Sequence, residues 1–355
     1  MMGSDLHFRD KIPVAILGAT GSVGQKFVEL LSSHPWFEVA AVAASEKSAG
    51  KPYRQAVNWL MPSPLPEFIG NLEVQKCEPN LPCSVVFSGL DASIAGEVEA
   101  KFAQAGYIVI SNSRNHRMNA DVPLLIPEVN ADHLELLHSQ SYSKGKMVTN
   151  PNCSVIGLAM AIKPLLDKFG VESMNVVTLQ AISGAGYPGV ASLDILDNTI
   201  PFIGGEEQKI ETEPLKILGK LSKGRIENCQ LTISAQCNRV SVTDGHLECI
   251  SVKLKAKASK ADLIAAWKEF KGEAQALNLP TAPQFPLHYF EEEHFPQPKR
   301  HKLLEKGMAV SIGRLRECPL LDYKFVILSH NTIRGAAGGA ILNAELMVAK
   351  GYIFW

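Results

Sequence analysis

The sequence IPVAILGATGSVGQ, residues 12–25, contains a β-rich run, a glycine-rich turn and the start of a helical pattern. Its glycines, Gly18, Gly21 and Gly24, are spaced as GxxGxxG. In such a turn the first glycine permits the tight bend, the second lets a pyrophosphate approach the backbone, and the third lets helix and strand pack closely. Free N–H groups at the helix start then bind phosphates. The stretch therefore predicts a dinucleotide-binding strand–turn–helix that includes Thr20, Ser22 and Val23, with a purely structural glycine turn as the alternative.

The pattern around this stretch extends the prediction to an α/β fold. Further β-rich runs alternate with helical stretches such as 92–105, which predicts a doubly wound parallel sheet; the runs are 39–43, 84–88 and 107–111. Beyond residue 150 the pattern changes to α+β. A helix is expected over 154–169 and a strand over 175–182, and the later alternating runs predict antiparallel strands at 230–242, 246–256 and 323–328.

We therefore expect two domains, residues 1–150 and residues 151–330. The helical stretch at the end of the chain, within 331–355, is expected to return and complete the first domain. A length of 355 residues is enough for two domains that each bury a core.

Composition narrows the class of protein. The chain has 35 Lys and Arg against 36 Asp and Glu, a net charge of -1 and no basic stripe, which argues against a nucleic-acid partner. No apolar run approaches the roughly 20 residues that span a bilayer, so we expect no membrane segment and a cytoplasmic protein. Seven irregularly spaced cysteines without a CxxC pair fit neither a disulfide framework nor a metal site.

The segment after the second predicted strand bears on the choice of dinucleotide. An NAD site usually places an acidic residue here for the ribose hydroxyl, whereas this chain has Ala-Ala-Ser-Glu-Lys-Ser at 43–48. Ser45 and Lys47 suit a 2′-phosphate and favour NADP(H). Glu46 is open to two interpretations, because it could bind a ribose or lie in a solvated loop.

Cys153 is the candidate nucleophile. Asn-Pro-Asn at 150–152 leads directly into it, and an apolar-periodic helix follows, which places the thiol at a helix N-terminus. The helix dipole and free N–H groups lower a cysteine pKa from about 8.5 towards neutrality and make the thiol nucleophilic. A small buried hydrophobe is the alternative, and we accept it for the other six cysteines.

Arg239 and His246 lie seven residues apart in NRVSVTDGH, residues 238–246. On one straight strand an odd separation would place them on opposite faces, so we expect the Asp-Gly pair at 244–245 to supply a turn that brings them together. His246 could then act as base for a thiol and acid for a leaving group, and Arg239 could hold a carboxylate through two hydrogen bonds.

Two charged pairs share the spacing i, i+3 on one predicted helix: Glu206 with Lys209, and Glu213 with Lys216. By themselves such pairs are typical of solvated ion pairs on a helix surface. Arg114 and Arg117 follow the fourth predicted strand, at the edge where parallel sheets bind ligands, and either could bind an anion or remain at the surface.

Taken together, these segments resemble the aspartate-semialdehyde dehydrogenases, in particular their archaeal and fungal branch, within the superfamily that includes glyceraldehyde-3-phosphate dehydrogenase. The resemblance extends over nearly the whole chain. It depends on GATGSVGQ (18–25), AASEKSAGK (43–51), SNSRNHRM (111–118), VPLLIPEVN (122–130), NPNCS (150–154), LQAISGAGYPG (179–189), IGGEEQKIETEPLKILG (203–219), NRVSVTDGH (238–246) and NTIRGAAGGAILNAE (331–345).

The resemblance implies a Rossmann domain followed by a glyceraldehyde-3-phosphate dehydrogenase-like α+β catalytic and dimerisation domain, in a homodimer or homotetramer. It implies Cys153 as acyl-forming nucleophile and His246 as acid/base. Arg239 would bind the substrate carboxylate and Glu206 the amino group. The remaining implied residues bind phosphate (Lys209, Arg117), order the nucleophile (Asn152, Gln180) and hold the cofactor (Ser183, Gly184, Gly186, Asn331).

The implied reaction is the NADPH-dependent reductive dephosphorylation of L-4-aspartyl phosphate to L-aspartate 4-semialdehyde, which leads to lysine, threonine and methionine. Two related reductases remain alternatives, one for N-acetylglutamyl phosphate and one for malonyl-CoA. The first substrate has no free amino group for Glu206, and the second has no phosphate for Arg117 and Lys209. A non-catalytic NADP-binding protein is a third alternative.

Overall fold

The computed structural model describes residues 11–142 and 144–354. Its first half contains a six-stranded sheet in the order β3-β2-β1-β4-β5-β6, in which every neighbouring pair is parallel. This is the doubly wound arrangement that the sequence predicts. The strands are Ile12–Leu17 (β1), Phe37–Ala44 (β2), Val74–Lys76 (β3), Val85–Ser88 (β4), Ile108–Ser111 (β5) and Lys146–Thr149 (β6).

The second half contains a mixed seven-stranded sheet in the order β13-β14-β15-β12-β7-β11-β8, and a separate hairpin of β9 with β10. The strands are Val171–Gln180 (β7), Thr199–Ile200 (β8), Lys220–Ser222 (β9), Arg225–Glu227 (β10), Thr232–Val240 (β11), His246–Leu254 (β12), Leu287–Tyr289 (β13), Val310–Glu317 (β14) and Tyr323–Ser329 (β15).

Twelve α-helices connect and cover these sheets within the described part of the chain. They are Ser22–Leu31 (α1), Tyr53–Ala56 (α2), Glu67–Asn71 (α3), Ala92–Gln104 (α4), Pro127–Asn130 (α5), Cys153–Phe169 (α6), Ser192–Ile195 (α7), Glu206–Ile217 (α8), Lys260–Glu269 (α9), Glu273–Ala276 (α10), Pro298–His301 (α11) and Gly338–Ala349 (α12). No helix among the described residues combines the length and the apolar content that crossing a bilayer requires.

The seven-stranded sheet corrects one prediction. The segments predicted as antiparallel strands do form strands, but β11 is parallel to β7, and β7 lies between β11 and β12. The alternating pattern identifies which side chains are buried and carries no information about which strand is the neighbour. The connection from β11 to β12 therefore crosses the end of β7 instead of forming a hairpin.

The apolar core of the six-stranded sheet and that of the seven-stranded sheet are connected near the candidate catalytic residues. Helix α12 packs in the apolar core of the six-stranded sheet, where Ile341, Leu342 and Leu346 are buried with residues of β1 and β2. Helix α6 packs on the inner face of the seven-stranded sheet. A turn of π-helix, Ile333–Ala337, precedes α12 and packs against the start of α6. The π-helical turn therefore lies next to Cys153, which is the first residue of α6.

Candidate active site

The glycine turn has the geometry that a dinucleotide requires. Gly18 has φ of +74°, a conformation that favours glycine, and a Cβ on Gly24 would lie 2.2 Å from the carbonyl oxygen of Gly18. Gly21 is the N-cap of α1 and provides no side chain to cap it. The first N–H groups of α1 are thus free of a side-chain cap, as phosphate binding needs.

Ser45 and Lys47 follow β2 and are exposed at its carboxyl end. This edge of a doubly wound sheet is where the adenosine ribose of a dinucleotide lies. Glu46 is also exposed, and its Oε1 lies 3.5 Å from Nζ of Lys76 at the end of β3. Lys76 was missed by sequence reasoning, because it follows a three-residue strand that the pattern did not reveal.

A cavity of about 330 Å³ lies between the two sheets. Residues from both halves line it, including Ser22, Val23, Asn112, Arg114, Arg117, Asn152, Cys153, Ser183, Gly184, Gly186, Glu206, Lys209 and Asn331. The cavity thus brings the glycine turn, the candidate nucleophile and the Glu206/Lys209 pair into one site.

Cys153 is the first residue of α6, and Asn152 caps that helix. The Asn152 Oδ1 accepts hydrogen bonds from the N–H groups of Ser154 (3.0 Å) and Val155 (3.4 Å). The cap uses two of the free N–H groups that would otherwise stabilise a thiolate. Gly335 packs so closely on the other side that a Cβ there would lie 2.7 Å from Cβ of Cys153. The nucleophile is therefore held between its own cap and the π-helical turn.

The electrostatics of the thiol differ from the prediction. Burial, followed by the charge of Glu206, raises the pKa of Cys153 to about 12 against the opposing charges of Arg117, Lys209 and Arg239. The expectation of a lowered pKa is wrong for the structure without bound substrate. The helix N-terminus is present as predicted, but loss of hydration costs the thiolate more than the dipole returns.

His246 faces the thiol. Its Nε2 lies 3.2 Å from Sγ of Cys153, and its Nδ1 accepts a hydrogen bond from the N–H of Ala181 at 3.0 Å. A neutral imidazole carries one proton, so we assign that proton to Nε2, where it points at the sulfur. Burial, followed by the charge of Arg239, lowers the pKa of His246 to about 3.

This tautomer bears on the role predicted for His246. The neutral ring can donate a hydrogen bond from Nε2 to sulfur or to a substrate oxygen, whereas the predicted acid role, in which the proton is transferred, requires the imidazolium. It has no free lone pair for the thiol proton, because Nδ1 is already occupied by Ala181. The predicted role as base for the thiol is therefore not available in this arrangement.

Arg239 and His246 meet in a different way from that expected. Arg239 pairs with Gln180 on β7 from one side, and β12 pairs with β7 from the other. Both side chains contact Ala181 at the end of β7, where Nη1 of Arg239 donates to the carbonyl oxygen at 2.6 Å. Residues opposite each other on neighbouring strands share a face, so their odd separation along the chain is irrelevant.

Glu206 is buried in the site. Its carboxylate accepts hydrogen bonds from Lys209 (2.5 Å), from Nδ2 of Asn152 (3.1 and 2.9 Å) and from Nε2 of Gln180 (3.3 Å). Burial by itself raises the pKa of Glu206, but the charge and hydrogen bond of Lys209, with the two amides, outweigh it and keep the pKa below its ordinary value. Glu206 is thus a buried carboxylate, not half of a solvated pair.

The second pair, Glu213 and Lys216, lies farther along the same helix. Both residues are buried, and neither lines the cavity. The structure therefore places Glu206 and Lys209 at the site, and Glu213 and Lys216 behind it.

Arg117 and Asn112 line the cavity and each has one buried donor without a partner among the described residues. Arg117 Nη1 donates to Glu213 and Nη2 to the carbonyl oxygen of Asn112. Its Nε and the Nδ2 of Asn112 are buried and have no hydrogen-bond partner in the described part of the protein. Sequence reasoning missed Asn112, although it stands in the quoted run SNSRNHRM. Arg114 also lines the cavity.

Ser183 and Asn331 hold two loops together beside the cavity. Nδ2 of Asn331 donates to Oγ of Ser183 at 2.8 Å, and its Oδ1 accepts from the N–H of Gly245 at 2.8 Å. Gly184 lies between the catalytic side chains, since a Cβ there would be 2.9 Å from Arg239 Nη1 and 3.1 Å from His246 Nε2. A larger residue than glycine would fill the space next to the nucleophile.

Comparison with protein families matches two segments of the chain. Residues 13–137 match the semialdehyde dehydrogenase NAD-binding domain, and residues 162–334 match the semialdehyde dehydrogenase dimerisation domain.

Individual relatives match over almost the whole length. The aspartate-semialdehyde dehydrogenase of Schizosaccharomyces pombe is 47% identical over 351 residues, which cover 95% of this chain and 98% of that protein. The enzyme of the same name from Archaeoglobus fulgidus is 46% identical, with the same coverage. The crystal structure of aspartate semialdehyde dehydrogenase with NADP from Candida albicans is 44% identical, covers 96% of this chain and 100% of that one, and superposes with a TM-score of 0.90.

Proposed function

The chain belongs to the semialdehyde dehydrogenase family and, within it, to the aspartate-semialdehyde dehydrogenases, and from this membership we propose how its own residues carry out the reaction. It is an NADP-dependent oxidoreductase that converts L-4-aspartyl phosphate to L-aspartate 4-semialdehyde and phosphate, a step of amino-acid biosynthesis. The assignment of individual residues rests on their geometry. We divide the chain into an NADP-binding domain, residues 1–150 completed by 331–355, and a catalytic and dimerisation domain, residues 151–330.

NADPH fits the first domain. The glycine turn, with Gly18, Thr20 and Gly21 to Val23, would hold its pyrophosphate at the start of α1. Ser45 and Lys47 would hold the 2′-phosphate. Ser183, Gly184, Gly186 and Asn331 would lie beside its nicotinamide end. When bound, it supplies the hydride that reduces the acyl group.

Cys153 is the nucleophile. Its sulfur attacks the acyl carbon of the aspartyl phosphate, the thiol proton passes to the departing phosphate as the carbon–oxygen bond to phosphate breaks, and a thioester remains on the enzyme. After reduction the carbon carries an alkoxide oxygen, and Nε2 of His246 is the donor within reach of that position. The Nε2–H group stabilises this oxygen by a hydrogen bond. Collapse of the alkoxide with cleavage of the carbon–sulfur bond releases the aldehyde and a thiolate, which takes up one proton from water to restore the thiol.

The substrate's charges match the charges of the site. Arg239 would bind the α-carboxylate, and the buried Glu206 carboxylate would bind the α-ammonium, which N-acetylglutamyl phosphate lacks. Arg117 and Lys209 would bind phosphate. The observation that supports this most strongly is that Arg117 and Lys209 line the same cavity as Cys153 and that both charges act on its thiol, because two cations beside the nucleophile suit the phosphate on the acyl carbon.

The assembly we propose is a homodimer. The side chains of β7 and β12 alternate, and those that do not face α6, such as Val177, Leu179 and Leu247, are left half-buried by the described residues. Leu193 of α7 (91% exposed) and Phe202 after the edge strand β8 (68%) add apolar surface. A second copy would cover this face. We also place the enzyme in the cytoplasm, because a nucleophilic thiol and six other unpaired cysteines suit a reducing compartment.

A spectrophotometric assay tests the function. Purified protein is mixed with aspartate semialdehyde, phosphate and NADP, and the absorbance of reduced nicotinamide is followed. We expect steady-state reduction that requires all three. Reduction that proceeds equally well without phosphate, or with N-acetylglutamate semialdehyde in place of aspartate semialdehyde, would contradict the proposal.

A further inference from the structure

Helix α8 carries four charged side chains on one face. Glu206, Lys209, Glu213 and Lys216 are spaced by three, four and three residues, which places them along a single stripe. Glu206 and Lys209 reach the cavity. The other two have no place in the mechanism described above, although both are buried.

Glu213 joins two parts of the site that are distant in the sequence. Its Oε1 accepts a hydrogen bond from Nη1 of Arg117 at 2.8 Å, and its Oε2 accepts one from the backbone N–H of Asn152 at 2.8 Å. The Glu213 side chain is 3% exposed. A single shielded carboxylate therefore contacts both the proposed phosphate ligand and the residue that caps the nucleophile's helix.

Two carboxylates of α8 accept hydrogen bonds from Asn152. Glu206 accepts from its side-chain amide, and Glu213 accepts from its backbone N–H. The side-chain oxygen that remains caps α6. The direction of Asn152, and with it the start of α6 at Cys153, is thus fixed by two carboxylates seven residues apart on α8.

Lys216 holds the loop that carries Arg117. Its Nζ donates to the carbonyl oxygens of Arg117 (2.7 Å), Asn119 (2.6 Å) and Val122 (2.8 Å). Burial lowers the pKa of Lys216 to about 8. Lys216 holds the backbone of the loop that carries Arg117, and Glu213 orients the guanidinium.

We propose that Glu213 is a positioning residue. It holds the phosphate-binding guanidinium of Arg117 and the N-terminal end of α6, which bears the nucleophile, in a fixed position relative to each other. This inference rests on the proposed phosphate role of Arg117. Glu213 contacts neither substrate nor sulfur. Its two oxygens impose one geometry on two groups that must act on opposite sides of the same acyl–phosphate bond.

The variant Glu213→Gln tests the proposal. Glutamine keeps the size but has one oxygen and one NH₂, so it can satisfy only one of two donors. We expect the KM for phosphate to rise about tenfold or more, because a charge-assisted hydrogen bond to Arg117 is lost, and kcat to fall about tenfold. The KM for aspartate semialdehyde and the Kd for NADP should change less than about twofold, since their proposed ligands do not contact Glu213.

A matched control and a double-mutant cycle separate this role from general destabilisation. Glu207→Gln removes a carboxylate from the outer side of α8, where it accepts from the N–H of Cys237, and all constants should stay within about twofold. In the Arg117→Leu background, Glu213→Gln should no longer raise the KM for phosphate, yet should still lower kcat through Asn152.

The outcomes are distinguishable. An unchanged KM for phosphate in Arg117→Leu alone would overturn the proposed phosphate role of Arg117, and the present inference with it. A raised KM in Arg117→Leu with no change in Glu213→Gln would overturn only the inference. If Glu213→Gln loses NADP binding and is therefore misfolded, Glu213→Asp carries the test. If kcat falls in Glu213→Asp while both KM values and the Kd for NADP rise by similar factors, Glu213 has a general structural role and the proposal is contradicted.

Discussion

Cys153 and His246 form a pair of neutral groups in the site without substrate. Burial raises the pKa of the thiol to about 12 and lowers that of the imidazole to about 3, so between these values neither group is charged. Since no ion pair exists to be broken, activation of the sulfur belongs to the complex with substrate. The proton on Nε2 of His246 is the one donor that the structure aims at Sγ among the described hydrogen bonds.

The first prediction follows from the raised pKa of Cys153. The rate at which iodoacetamide alkylates the substrate-free enzyme should rise about tenfold per pH unit from pH 7 to 10, because only the thiolate reacts and its fraction keeps increasing below the pKa. Mass spectrometry of the Cys153 peptide measures this rate. A rate that reaches its plateau near pH 7 to 8 would contradict the account and restore the expectation based on the helix dipole.

The second prediction concerns His246. Replacement by asparagine, His246→Asn, should lower kcat by a factor on the order of 10²–10³, the usual loss when one hydrogen-bond donor to a developing oxyanion is removed. The Kd for NADP, measured by fluorescence titration, should stay nearly constant, because the ring contacts Cys153 and Ala181 and not the glycine turn. A variant that retained more than about a tenth of the wild-type kcat would contradict the proposed role of His246 as donor to the substrate oxygen.

At the scale of elements, the segment that follows β2 determines the choice of cofactor. Lys47→Ala should weaken NADP binding about ten- to thirtyfold, since a cation beside a phosphate is lost, and should leave NAD binding nearly unchanged. Glu46 is paired with Lys76, so Glu46→Ala should leave NADP binding unchanged or stronger. Calorimetric Kd values for both dinucleotides decide this. A Lys47→Ala variant that loses NAD and NADP equally would contradict the assignment.

The elements also show which features the sequence allows one to predict. The glycine turn, the capped helix of Cys153 and the parallel sheet are local patterns of side-chain burial and backbone conformation, so they were predictable. The position of β7 between β11 and β12 was not, because hydrophobic alternation does not identify the neighbouring strand. The meeting of Arg239 with His246 was foreseen, but for the wrong geometric reason.

The charges and protonation states of the site residues were harder to predict from the sequence than the fold. Glu206/Lys209 and Glu213/Lys216 have the same spacing and differ only in which tertiary contacts they make, which no local pattern reveals. The thiol pKa was mispredicted for a related reason. A helix N-terminus can be recognised from sequence, whereas the burial that outweighs it is a property of the folded molecule.

At the scale of the whole molecule, the uncovered face of the seven-stranded sheet predicts the assembly. Val177 lies on that face opposite Cys249 of β12. Val177→Asp would bury a charge in the proposed interface, and sedimentation should show a monomer, whereas Lys101→Asp on the exposed side of α4 should remain dimeric. A Val177→Asp protein that stays dimeric would place the interface elsewhere.

The central claim is that the acyl group passes through a thioester on Cys153, and a burst experiment tests it most directly. Enzyme is mixed with aspartate semialdehyde and NADP in the absence of phosphate, and is quenched in acid for mass spectrometry. We predict one reduced nicotinamide per active site in a rapid phase, together with an aspartyl group on the Cys153 peptide that is removed when phosphate is added before the quench. A burst in the Cys153→Ser variant, or an unmodified Cys153 peptide after a full burst, would contradict the account.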